Sequence, residues 1–195
     1  MRTKLAQALS ASPSMLSLVN DEKTRFTELP APWLTGWTVV DALNRTPPHP
    51  RRATIALSDD GVAKVLSGFP DRFPDVVRGH AKADTPDVAA SIAAAYLDWT
   101  NGYQKLTYRV QSAADIRWKP TMSASDQSAR DAFLAGQGKS IGAPSPTQSA
   151  GGWALTLWTI ANTDLVKHDM VVGADGTVTD TTTVAAGGLP LPIGV

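Results

Sequence analysis

The chain carries only three histidines, His49, His80 and His168. None has a second histidine at helical metal-ligand spacing, so zinc-protease or three-histidine zinc chemistry has no pattern to rest on. His168 stands close to Asp164 and Asp169. On a strand, His168 and Asp169 point to opposite faces and cannot form a dyad. His168 shares parity with Val166, Met170 and Val172, which predicts a hydrogen-bonded core histidine first and an acid–base catalyst second. Asp98 and Asp115 complete the set of catalytic candidates, because a carboxylate against an apolar wall can be raised in pKa and act as a base. Arg109, Arg117 and Tyr103 are the corresponding ligand-binding candidates. The plainer alternative is a solvated strand face whose ion pairs contribute little.

Other chemistries lack their patterns. Gly138-Lys139-Ser140 resembles the end of a phosphate-binding loop, but Phe133 occupies the place of the earlier glycine. No serine lies in Gly-x-Ser-x-Gly, and no Gly-x-Gly-x-x-Gly follows a strand. Asp59-Asp60-Gly61 lacks the rest of a calcium loop and is accounted for by a hairpin turn. The absence of cysteine excludes disulfides, thiolate metal sites and cysteine nucleophiles. Eighteen basic residues balance eighteen acidic ones, which offers no overall basic footprint for nucleic acid or membrane. No metal and no cofactor is expected.

The elements that must position these residues follow from periodicity. Thr85 to Asn101 predicts the main helix, with Thr85 as cap, Pro86 in its first turn and Val88, Ile92, Tyr96 and Trp99 on one stripe. A weaker helix is predicted from Ser123 or Ser125 to Ala135. Leu106 to Trp118 alternates with period two and predicts one long, strongly twisted strand, with a possible bulge at Ser112. Asp60-Gly61 and Asp175-Gly176 predict the tips of two hairpins, over 54–66 and 170–178. Trp153 to Ala161 predicts a central strand, and Trp37 to Leu43 a further one. Met1 to Val19 predicts a short amphipathic helix, broken or restarted at Pro13. Gly136 to Gly152 predicts one long loop, and Thr46 to Pro50 a rigid connector.

This pattern predicts an α+β fold: an antiparallel, strongly twisted sheet packed on one main helix, with a short N-terminal helical segment. The element order is similar to the cone of NTF2-like folds. Leu5-Ala-Gln-Ala-Leu9 through Pro13 to Leu18-Val19 resembles the first helix of small phage tail-completion proteins, over that short stretch alone and without a specific motif. It is not counted as a family assignment. One domain is expected over 1–188, followed by an apolar arm over 189–195.

Two functions fit. The first is a non-catalytic interaction or assembly component that binds a protein partner or self-associates. Leu189, Pro190, Leu191, Pro192, Ile193 and Val195 are its interface candidates, either docking into a neighbour or lying back across the chain's own core. The second is a small-molecule-binding protein or cofactor-free acid–base enzyme, with a pocket between helix and curved sheet. The expected partners are protein, or a small molecule under the second reading, with no nucleic acid and no membrane. With no apolar run long enough to span a bilayer and no secretory pattern, a cytoplasmic location is expected.

Overall fold

The structure, a computed structural model, describes residues 1–103 and 106–192. It is α+β, with antiparallel sheets and a few helices. The chain gathers into two units. The first holds Met1–Lys82, Trp99–Tyr103 and Asp175–Thr177, and the second holds Ala83–Asp98, Gln104–Ala174 and Val178–Val195.

The first unit opens with helices α1 (Arg2–Ala8) and α2 (Pro13–Asn20). Proline at the first position of α2 costs no hydrogen bond, so Pro13 restarts the helix. An antiparallel sheet follows in the order β1 (Arg25–Glu28), β2 (Trp37–Asn44), β3 (Arg51–Ser58), β4 (Ala63–Val65). Strand alternation sends Val40, Ala42, Ala53, Ile55 and Leu57 to one face, where they pack with Leu5, Leu9, Leu18 and Val19 of the two helices. The Arg2 guanidinium donates to the carbonyls of Val19, Asp21 and Thr24, satisfying acceptors at and just after the end of α2. Gly61, at the predicted hairpin tip between β3 and β4, takes a φ of 84°. The short helix α3 (Phe73–Val77) buries Phe73, and Trp99 lies between Trp33 and Phe73, with ring centroids 5.5 and 6.0 Å away.

The second unit holds most of α4 (Pro86–Thr100), whose first turn is capped by Thr85: its hydroxyl accepts from the Val88 N–H at 3.3 Å. Its sheet runs β5 (Thr107–Val110), β7 (Gly152–Ala161), β8 (Asp164–Val172), β9 (Val178–Ala186), with β6 (Thr147–Ser149) also on β7. Helix α5 (Ala124–Ala135) starts with a reciprocal Ser123–Asp126 capping box. Phe133, Trp158, Ile160 and Leu165 form the centre of this unit's core. As expected for a central strand, β7 is buried on both faces from Leu157 to Ile160.

Two sequence expectations require correction. The predicted long strand 106–118 stops at Val110. Beyond it the Asp115 carboxylate accepts from the Gln111 and Ser112 N–H groups at 2.8 and 2.9 Å, and the chain turns into a 3-10 segment at Ala113–Asp115. Local side-chain acceptors replace the ladder there. Ile116 and Trp118 still turn inward, Ile116 into the core and Trp118 edge-on to Phe133 at 5.7 Å. The predicted 136–152 loop is likewise interrupted, by a 3-10 turn at Gln137–Ser140 and by β6.

Candidate functional site

The sheet of the second unit presents two faces with different chemistry. On one, β7, β8 and β9 bring Thr159, His168 and Asp180 together. The His168 ring nitrogens lie 2.9 Å from the Thr159 hydroxyl and 2.9 Å from an Asp180 carboxylate oxygen. Both His168 and Thr159 are buried. The other Asp180 oxygen is buried with no hydrogen-bond partner among the described residues. Burial, and after it the Asp180 carboxylate, push the Tyr96 phenol above its ordinary value of 10.0. The cluster has the residue types of a hydroxyl–imidazole–carboxylate relay, but its hydroxyl is closed off from solvent, and no groove described below includes it. It acts as a polar tie across three strands within an apolar layer of Leu155, Leu157, Met170 and Val172.

The other catalytic candidates lie elsewhere. Asp98, near the end of α4, accepts a two-pronged bond from Arg109 of β5, at 2.8 Å on each oxygen. That pair joins helix to strand. Asp115 is spent on its 3-10 turn. The backbone N–H of Gln111 is the largest influence holding its carboxyl below the usual range, with burial opposing and Ser112 adding to the effect. Neither carboxylate is hydrogen-bonded to His168; the partner of His168 is Asp180, which sequence reasoning missed. Among the ligand candidates, the Arg117 guanidinium lies 4.7 Å from the centre of the Tyr108 ring. Tyr103 belongs to the first unit. There its hydroxyl lies 2.7 Å from the Thr54 hydroxyl, and Arg52 stacks over its ring at 4.3 Å.

The terminal segment folds inward. The Leu189 N–H donates to the Thr163 carbonyl at 2.8 Å, and the Lys119 N–H donates to the Pro190 carbonyl at 3.1 Å. Leu189 and Leu191 are buried in the core with Trp158 and Ile160, Pro190 is buried beside them, and Pro192 is half-buried. Of the two expected placements, these residues take the one across the chain's own core: an apolar run beside an uncovered core face gains by closing that core. Ile193 and Val195 lie outside the described residues.

The opposite sheet face holds an open groove of about 910 Å³, roofed by the chain from Gln137 to Thr147 and floored by Thr156, Lys167, Asp169 and Thr181. Asp169 accepts from Thr156 and from Lys167, both at 2.8 Å. Lys167 is the largest cause holding the Asp169 carboxyl below its usual range. This pocket therefore sits between loop and sheet, on the face away from His168.

The outer edge of the sheet is β9, nine residues long. It pairs with β8 alone among the described residues. Thr181, Thr182, Thr183 and Val184 are exposed, Val184 at 59%. Edge strands are ordinarily blunted by lysine, proline or short length. β9 contains neither residue, and its one charge, Asp180, is turned to His168.

No group of three or more histidine, aspartate or glutamate side chains fit to hold a metal occurs among the described residues, and no helix there is long and apolar enough to cross a membrane. Set against protein-family models, curated proteins and solved structures, the chain matches none of them.

Proposed function

We propose that this chain is a non-catalytic interaction component that self-associates by strand addition at the outer edge of β9. The observation that carries this reading is the unguarded edge itself: nine residues, with a neutral exposed stretch from Thr181 to Val184. Main-chain hydrogen bonds supply affinity in such pairing, and the side chains set the register. A two-fold axis through Thr182 would set Asp180 opposite Val184 and Thr181 opposite Thr183. That register avoids like-charge contact and aligns threonines, whose cross-strand pairing is favourable.

Sedimentation velocity across a concentration series tests it. The expected species has twice the chain mass of 20.6 kDa. Thr182→Lys should return the monomer, because a charge on the edge opposes pairing while leaving the inner ladder to β8 intact. A wild-type monomer at every concentration, or a dimer indifferent to Thr182→Lys, would overturn the reading.

A second reading, small-molecule binding, is favoured by the 910 Å³ groove. Ligand pockets usually span ~300–1,000 Å³. A compound library screened by tryptophan emission tests it, since Trp158 lines the groove. A hit that Lys167→Ala does not weaken counts against this site.

A further inference from the structure

We propose that the first unit carries a second, independent site, a cleft between β1 and the turn after β2 that binds a small, multiply charged phosphate. The cleft encloses about 640 Å³ and is lined by Lys23, Arg25 and Arg45, with Thr27, Thr46 and Leu43 between them. Strand register places Arg25 directly opposite Leu43, with Arg45 two residues beyond. Three cations therefore converge on one concave surface whose lining includes no carboxylate. In a chain of zero formal net charge, this is a marked local imbalance.

Arg25 and Arg45 are uncommitted, and Lys23 acts only at longer range, as one of the smaller influences holding the Asp21 carboxyl below its usual range. None of the three forms an ion pair among the described residues. Asp21, close in sequence, is already taken. One of its oxygens accepts from the Lys23 N–H at 2.9 Å and the other from Arg51 at 3.2 Å. A surface cation normally gains little from a fixed partner. Three cations around one concavity act together, because each raises the potential that an incoming anion meets.

The backbone beneath the cations is fixed. Thr24 and Asn44 are buried at 3% and 2% exposure. The Thr24 hydroxyl donates to the Leu18 carbonyl at 2.6 Å and accepts from the Asn44 amide at 3.2 Å. The Asn44 side-chain oxygen Oδ1 in turn accepts from the Thr46 N–H at 2.9 Å. This polar chain lies directly between Lys23 and Arg25 in sequence on one side, and directly before Arg45 on the other. It holds both walls of the cleft, so a ligand meets a prearranged surface and the ordering cost falls mainly on the side-chain tips.

Guanidinium forks and threonine hydroxyls match phosphate oxygens in geometry and charge. The volume exceeds what one phosphate fills, which favours two linked phosphates or a phosphate ester with an apolar end against Leu43. A polynucleotide is disfavoured because the chain as a whole has no basic excess to track a backbone.

Calorimetric titration of the full chain with inorganic pyrophosphate tests the proposal. One saturable site is expected. The double variant Arg25→Gln, Arg45→Gln should weaken it at least about tenfold, since charge-assisted bonds to phosphate carry the binding. Arg130→Gln, which removes a guanidinium paired to Asp131 in the other unit, should leave it unchanged. Arg25 and Arg45 are exposed and Arg130 is half-buried, and matching unfolding curves confirm that each variant is folded. Absence of saturable binding, equal weakening by Arg130→Gln, or tighter binding of a single-stranded oligonucleotide than of pyrophosphate would each overturn it. Self-association through β9 is read by mass and not by heat, so the two proposals fail separately.

Discussion

His168 illustrates what a single residue's surroundings decide. Its strand parity made an inward histidine legible, but its partner was not, because Asp180 lies 12 residues away across a hairpin whose pairing register sequence does not reveal. We expect His168→Ala to destabilise the protein by about 2–4 kcal/mol in urea unfolding, since it strands the buried Asp180 carboxylate. Replacing both residues with apolar side chains, His168→Leu with Asp180→Val, should recover most of that loss. The carboxylates give a second expectation. Asp75, Asp169 and Asp175 are held below the ordinary value of 3.8, chiefly by Lys64, Lys167 and Thr177 respectively. Lowered folded-state values stabilise the fold above 3.8, and that contribution is lost as pH falls through them. Unfolding midpoints followed from pH 6 downward should therefore decline chiefly below about pH 4. The raised Tyr96 phenol has the opposite sense. It stabilises the fold below 10.0, and the contribution is lost as pH rises through the higher folded value. Tyr96 should titrate above its ordinary value when followed by ultraviolet absorbance.

Among the elements, those with strong end signals were legible and those governed by local side-chain bonds were not. Thr85 with Pro86 marked the start of α4, and Ser123, one of two serines the sequence offered for α5, proves to be its cap. Ser123→Ala should accordingly cost about 1 kcal/mol in thermal unfolding. The end of β5 was hidden because Gln111 to Trp118 continue the alternation while Asp115 diverts the backbone. The groove was hidden for a related reason: Thr156, Lys167 and Asp169 come together only through the β7–β8 register. The start of β7 offers a sharper test. Gly152 has φ +126°, and a Cβ there would collide with the Val172 carbonyl. Gly152→Ala should destabilise by roughly 2 kcal/mol or more, measured by denaturant midpoint. Burial of the terminal segment gives a matching expectation, that Leu191→Ala costs about 2–4 kcal/mol.

At the scale of the whole molecule, composition and the mixture of periods sufficed for α+β with antiparallel sheets. They did not show how the chain is shared between units, because that depends on which distant segments meet. The first unit is not a continuous stretch. It takes Trp99–Tyr103 and Asp175–Thr177 from far along the chain, including the Trp99 ring stacked on Trp33 and the Tyr103 hydroxyl against Thr54. A fragment of residues 1–82 should therefore lack cooperative unfolding by circular dichroism, although it holds every strand of the first sheet.

The same interleaving bears on biosynthesis. Domains ordinarily fold in order as they leave the ribosome, the N-terminal one first. Here a nascent chain arrested soon after residue 103 would have only just gained Trp99 to Tyr103, and Asp175–Thr177, with Asp175 set to meet Arg78 at 3.9 Å, would not yet exist. The first unit is then completed only by residues made after the whole of the 104–174 stretch. Ribosome-arrested chains should stay protease-sensitive around Phe73 until the β8–β9 hairpin tip has emerged from the exit tunnel.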